Sequence, residues 1–244
     1  MEMLNNIWTA LSIPNSTLIS YILIPFGFIE SSLSLMLFVN LLNIKCSTKD
    51  KLLYVFLSST CSIINHTLVP SPFNVIFNYL IVFTIIYFIF RQGILKTVIA
   101  MFLPSLVLAL IDALILNVYI TILHISYEQA ANIPIYRAFY LLIVYTIACF
   151  IIFILKHKNM KIKVLEIFDK KTKRIVILNF IVGLLTVILQ GVIIVYYIDF
   201  ANLFVTFLNF IVLLAYFCIN LYSLNKITKL TITTRELETA EAYN

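Results

Sequence analysis

Charge is what this 244-residue sequence has least of. Asp, Glu, Lys and Arg make up 11% of it, while 62% is hydrophobic and the mean hydropathy is +1.05; an average soluble domain is about 25% charged. A chain this apolar cannot cover a water-facing surface with polar groups. That excludes a soluble enzyme, a disordered tail and a disulfide-framed secreted module. Glycine is scarce, with 4 residues, so close helix packing through small-xxx-small faces is not the main theme. The four cysteines, Cys46, Cys61, Cys149 and Cys218, have no metal-ligand spacing. Three lie inside apolar runs and Cys46 adjoins a basic loop, so they read as thiols rather than disulfides. No phosphate loop or kinase nucleotide site is present, and no His–Cys pair has convincing spacing for a membrane peptidase. The sequence therefore names no catalytic residue, no metal site and no cofactor of its own. Glu2 stands where a cleavable signal peptide would have a basic region, so none is expected.

What the sequence has instead is long apolar runs: Thr17 to Ile44, Leu52 to Val69, Phe73 to Phe90, Ile94 to Ile122, Ile135 to Leu155, Ile175 to Ile198 and Phe200 to Tyr222. At about 20 residues per span, they predict an all-α, polytopic membrane protein of about seven transmembrane helices. Pro70 and Pro72 separate the second run from the third, and the break at Asp199 makes a hairpin of the last two. Of the 17 Lys and Arg residues, 16 follow the first, third, fifth and seventh runs, and only Arg137 falls on the other side. Basic loops stay cytoplasmic, which predicts an N-terminus outside and a C-terminus in the cytoplasm. The excess of positive charge is thus a topology signal and not one for nucleic acid. Residues 1–16, with Met3, Leu4, Ile7, Trp8 and Leu11 at helical spacing, read as an amphipathic segment on the outer interface. Residues 17–222 form the membrane domain, and 223–244 a cytoplasmic exit helix.

Two acids lie within runs, Glu30 in the first and Asp112 in the fourth. An intramembrane carboxyl group is a functional-site hypothesis by default. At 1.5 Å per residue, Glu30 is roughly 20 Å and Asp112 roughly 15 Å below the outer helix ends. They either line a cavity or proton path, or bond to Asn, Ser or Tyr in the interior, with Asn65, Asn78, Asn117, Gln190 and Asn209 as candidate partners; no Lys or Arg is expected at matching depth. Pro25 and Pro104 should kink the same two helices. His66 and His124 fall near outer helix ends without ligand spacing. Aromatic residues crowd the outer half as an interfacial belt, and those beyond its needs suit an apolar ligand arriving from outside. Tyr119, His124, Tyr136 and Tyr197 are the candidate ligand-binding residues.

After Tyr222 the pattern becomes mixed. Ile227, Leu230, Thr234 and Leu237 follow heptad spacing among Lys226, Lys229, Arg235, Glu236, Glu238 and Glu241, as in a short coiled coil relaying a signal; a solvated juxtamembrane helix is the alternative. The stretches Leu224 to Leu230 and Arg235 to Asn244 resemble the linker of peptide-sensing histidine kinases of the accessory-gene-regulator type. In that family a six- or seven-helix sensor precedes the linker, and a phosphoacceptor helix and a GHKL-type ATPase domain follow it. The resemblance covers the layout and the last twenty or so residues. It implies a homodimeric sensor of a two-component system used in quorum sensing, binding a small secreted, often cyclic, peptide. ATP, Mg and a response-regulator partner would belong to a kinase module expected beyond Asn244. The alternatives are a small membrane transporter or substrate-binding component using Glu30 and Asp112, and a membrane peptidase, which lacks a credible nucleophile and base.

Overall fold

The computed structural model describes residues 8–70 and 73–158, together with Ile211, Ala215 and Thr233. The runs Ile175 to Ile198 and Phe200 to Tyr222, Tyr197, Gln190, Asn209 and the relay positions Ile227, Leu230, Thr234 and Leu237 lie outside the described residues. So does most of the N-terminal amphipathic segment; residues 8–12 are helical and Trp8 is exposed.

Among the described residues every element is a helix: α1 Ser16–Leu41, α2 Thr48–Leu68, α3 Phe73–Phe90, α4 Ile94–Leu123, the short α5 Tyr127–Asn132, and α6 Pro134–His157. Their limits follow local chemistry. Pro14 precludes a continuous helix from residue 8, and the side chain of Asn15 restarts it by accepting from the Leu18 N–H at 3.0 Å. Ser47 and Asp50 form a capping box for α2: the Asp50 N–H donates to Ser47 Oγ, and the Ser47 N–H and hydroxyl both donate to the Asp50 carboxylate. Ser126 and Gln129 do the same for α5. Pro134 opens α6 at a position whose N–H would be orphaned anyway. The turns after α1, α3 and α4 carry Asn43, Arg91 and His124 at positive φ.

α1, α3, α4 and α6 are each long and apolar enough to cross a membrane. These four match the first, third, fourth and fifth apolar runs. α2 covers the second run and spans 21 residues, but Ser58, Ser59, Ser62, Asn65 and His66 interrupt its hydrophobicity. The five long helices close a ring in the order α1, α2, α3, α4, α6, with α1 also touching α4. Short connections make successive neighbours antiparallel. One end of the ring therefore gathers Asn15, Leu68, Leu123, α5 and Arg137. The opposite end gathers Lys45, Lys49, Lys51, Arg91, Lys96, Lys156 and Lys158. Large apolar side chains such as Phe56, Leu68, Phe88, Phe150 and Phe153 point outward, each more than half exposed. That is the distribution expected against lipid. At the basic end, Phe38 packs edge-on against Tyr54 and Phe90, with ring centroids 5.3 Å apart in both pairs.

Hydrogen bonds from the Ser47 hydroxyl and backbone N–H hold the Asp50 carboxyl below the usual carboxylate range. The depressed value means its contribution to the α2 cap is present above the ordinary aspartate pKa, about 3.9, and is lost as pH falls through the folded-state value. A carboxyl-carbon NMR titration should place the Asp50 midpoint below that of an unstructured aspartate. S47A should raise the midpoint and weaken the first turn of α2 by about 1 kcal/mol; an unchanged midpoint would contradict the cap.

Candidate functional site

The inner faces of the five long helices enclose a cavity of about 550 Å³, within the range of small-molecule sites. Helical periodicity builds each wall. On α1, Gly27, Glu30, Ser31 and Ser34 stand at i, i+3, i+4 and i+7; on α2, Tyr54, Ser58, Ser62 and Asn65 stand at i, i+4, i+8 and i+11. α3 contributes Asn74 and Asn78 one turn apart, α4 Ser105 and Asp112, and α6 Arg137 and Tyr145. The wall is thus about half polar, with Val82, Met101, Leu108 and Val144 among its apolar members, while the outside of the bundle is apolar. α1 and α2 are locked beside the cavity by the Ser59 hydroxyl, which lies 3.0 Å from Ser31 Oγ and 3.2 Å from the Gly27 carbonyl oxygen.

Both carboxyl groups take a tyrosine of α6 as partner. The Tyr145 hydroxyl donates to Glu30 Oε2 at 3.0 Å. The Tyr140 hydroxyl lies 2.5 Å from Asp112 Oδ1 and 3.0 Å from the Asp112 carbonyl oxygen. Glu30 and Asp112 retain accessible surface because they border the cavity. The expected alternatives, cavity lining or bonding to interior groups, are therefore realised together. Among the described residues the asparagines are not the partners: Asn65 Nδ2 donates to the Asn74 carbonyl at 2.6 Å, and Asn117 Nδ2 to the Ala113 carbonyl at 2.7 Å. Nor is the acid pair without a basic neighbour. Arg137, in the first turn of α6, lines the same cavity and lays its guanidinium 5.7 Å from the centre of the Tyr140 ring. Its flexible stem lets the charge sit well away from its own backbone position, which span counting does not register.

Three amide oxygens, Oδ1 of Asn74, Asn78 and Asn117, are buried without a donor among the described residues. Each such acceptor costs about 1–3 kcal/mol. Asn74 and Asn78 belong to the cavity wall.

The candidate ligand residues are placed elsewhere. Tyr119 is buried and donates its hydroxyl to the Tyr136 carbonyl at 2.9 Å, tying α4 to α6. Tyr136 packs against the core, and His124 is the left-handed C-cap of α4. The three gather at one end of the bundle, but none lines the cavity. Pro104 does line it, while Pro25 lies on α1 outside its wall. Serine and asparagine at helical spacing on α1, α2 and α3 were the signal for this wall, visible only once the helices are known to face one another. Among the described residues no group of three His, Cys, Asp or Glu side chains could hold a metal ion, and the cavity wall carries no serine or cysteine paired with a base. The arrangement is suited to holding a polar ligand.

If the tyrosines serve the acids as described, stability cycles in detergent should show it. Y140F with D112A, and Y145F with E30A, should each couple by about 0.5–3 kcal/mol, whereas the crossed pair Y140F with E30A should couple less. Equal coupling in matched and crossed pairs would contradict the assignment. Comparison with family models, curated proteins and solved structures finds no match to this chain.

Proposed function

We propose that this chain is the membrane sensor region of a two-component histidine kinase of the accessory-gene-regulator type. It is a seven-span homodimer with its N-terminus outside, binding a small extracellular peptide in the cavity. The observation that carries the reading is the cavity itself: partly polar, walled by five of the described helices, and reaching His66, Asn74 and Arg137 at the end opposite the basic loops. By the positive-inside rule that end faces outward. Tyr54, against Phe38 and Phe90, closes the wall toward the basic end. A site that reaches one end of the bundle and is bordered by an aromatic cluster toward the other suits a receptor better than a path. Ligand held among five helices biases their arrangement, and the seventh span and its exit helix, through Ile227, Leu230, Thr234 and Leu237, pass that bias to a kinase module using ATP and Mg. A complete switch from 1:99 to 99:1 needs about 5.5 kcal/mol of differential binding. The response regulator follows from that module.

A transporter is the second reading, favoured by the two carboxyl groups on the cavity wall; it requires the aromatic floor to open.

Orientation is checked by single cysteines in a background lacking the native four. An impermeant maleimide should label position 128 in intact cells and position 158 only after permeabilisation. For function, residues 1–244 fused to a GHKL kinase module should change autophosphorylation at least threefold when the secreted-peptide fraction of the source cells is added, and E30Q should blunt the response. A silent fusion, combined with solute uptake into proteoliposomes that E30Q and D112N abolish, would replace this reading with the transporter.

A further inference from the structure

The cavity wall is unbalanced in charge and in hydrogen-bonding capacity. Glu30 and Asp112 stand on it against Arg137, and among the described residues the Arg137 guanidinium lies over the Tyr140 ring instead of bridging to either acid. An ionised carboxylate offers about four acceptor positions. Glu30 receives one tyrosine hydroxyl and Asp112 another. Asn74 and Asn78, one turn apart on α3, also border the cavity, but their side-chain oxygens are buried rather than open to it. Among the described residues the charged acceptors thus come from α1 and α4, and Arg137 is the one Lys or Arg on the wall. An anionic ligand would set its charge against both acids, and a hydrocarbon would leave their remaining acceptor positions without donors.

We infer that this cavity takes a cationic, donor-rich group, a primary ammonium or a guanidinium, between Glu30 and Asp112. This rests on the reading of the bundle as a receptor and states which part of the ligand enters it. The group supplies several N–H donors at one point and the counter-charge that the wall lacks. It has two sources, a free polyamine-like amine or the basic side chain of a peptide, and both present the same chemistry to the wall.

The test uses the full chain in nanodiscs, titrated with butylguanidine and with an arginine-containing tripeptide amide acetylated at its N-terminus, each beside a neutral twin in which urea replaces guanidine. One or both cationic probes should bind saturably, at least tenfold more tightly than their twins, with E30Q and D112N each weakening binding about tenfold. Binding of butylguanidine would identify a free small cation as sufficient, and binding of the tripeptide alone would assign the group to a peptide. Equal binding of charged and neutral probes, or no binding of either cation, would overturn the inference. If a variant unfolds, the comparison of charged with neutral probes on the native chain still decides. The kinase fusion separates the two readings: a retained response to the peptide fraction without cation preference removes only this inference, whereas loss of both removes the receptor.

Discussion

Hydrocarbon offers a polar side chain nothing to bond to. In a chain that must cross it repeatedly, each Ser, Asn, Glu and Asp within a helix has to find a partner, on a carbonyl of its own helix as Asn117 does or on another helix. The inner faces of α1, α2 and α3 collect those groups in rows one turn apart, and the helices meet along them. Because side chains this short cannot fill the space between five helix axes, the same constraint that draws the polar faces together also leaves a cavity at the centre. Packing alone would have closed such a space with leucine and phenylalanine, as it does around Phe38.

α6 does most to stabilise the polar interior. It is highly apolar, yet Arg137, Tyr140 and Tyr145 project from it toward the acids. A phenol suits this place: its ring packs as an apolar surface, and its hydroxyl donates to a carboxyl group without bringing in a second full charge. Burying an ion pair would require desolvating both ions. Tyr119 adds to the same end by joining α4 to the start of α6 through the Tyr136 carbonyl. Tyr119 is thus occupied in holding helices together, and among the described residues the cavity wall presents acids, amides and hydroxyls.

This division of labour bears on how such a bundle could signal. The aromatic cluster of Phe38, Tyr54 and Phe90 makes the basic end rigid by interlocking α1, α2 and α3. The opposite end is held by a smaller number of directed hydrogen bonds, such as Asn65 to the Asn74 carbonyl and the Asn15 N–H to the Asn132 carbonyl. Directed bonds can be exchanged for bonds to a ligand one at a time, whereas interlocked rings separate only together.

Hydropathy and charge by themselves determined that the chain is helical and belongs in a membrane, and they placed five helices within a few residues of their observed ends. Those properties are local: an apolar run of about 20 residues satisfies its own backbone, and a proline or capping box ends it wherever it lies. The same local reading singled out Glu30 and Asp112, because a carboxyl group among leucines is costly in any arrangement. It did not find their partners. Tyr145 is 115 residues from Glu30 and Tyr140 is 28 from Asp112, and nothing in one helix states which face of another it will meet. Tertiary structure decided that α6 pairs with both acids, that Arg137 joins them, and that the serines of α1 and α2 and the asparagines of α3 form one wall. A cavity has no address in sequence, since it is the space left when several faces, each polar for its own reason, are brought to a common axis.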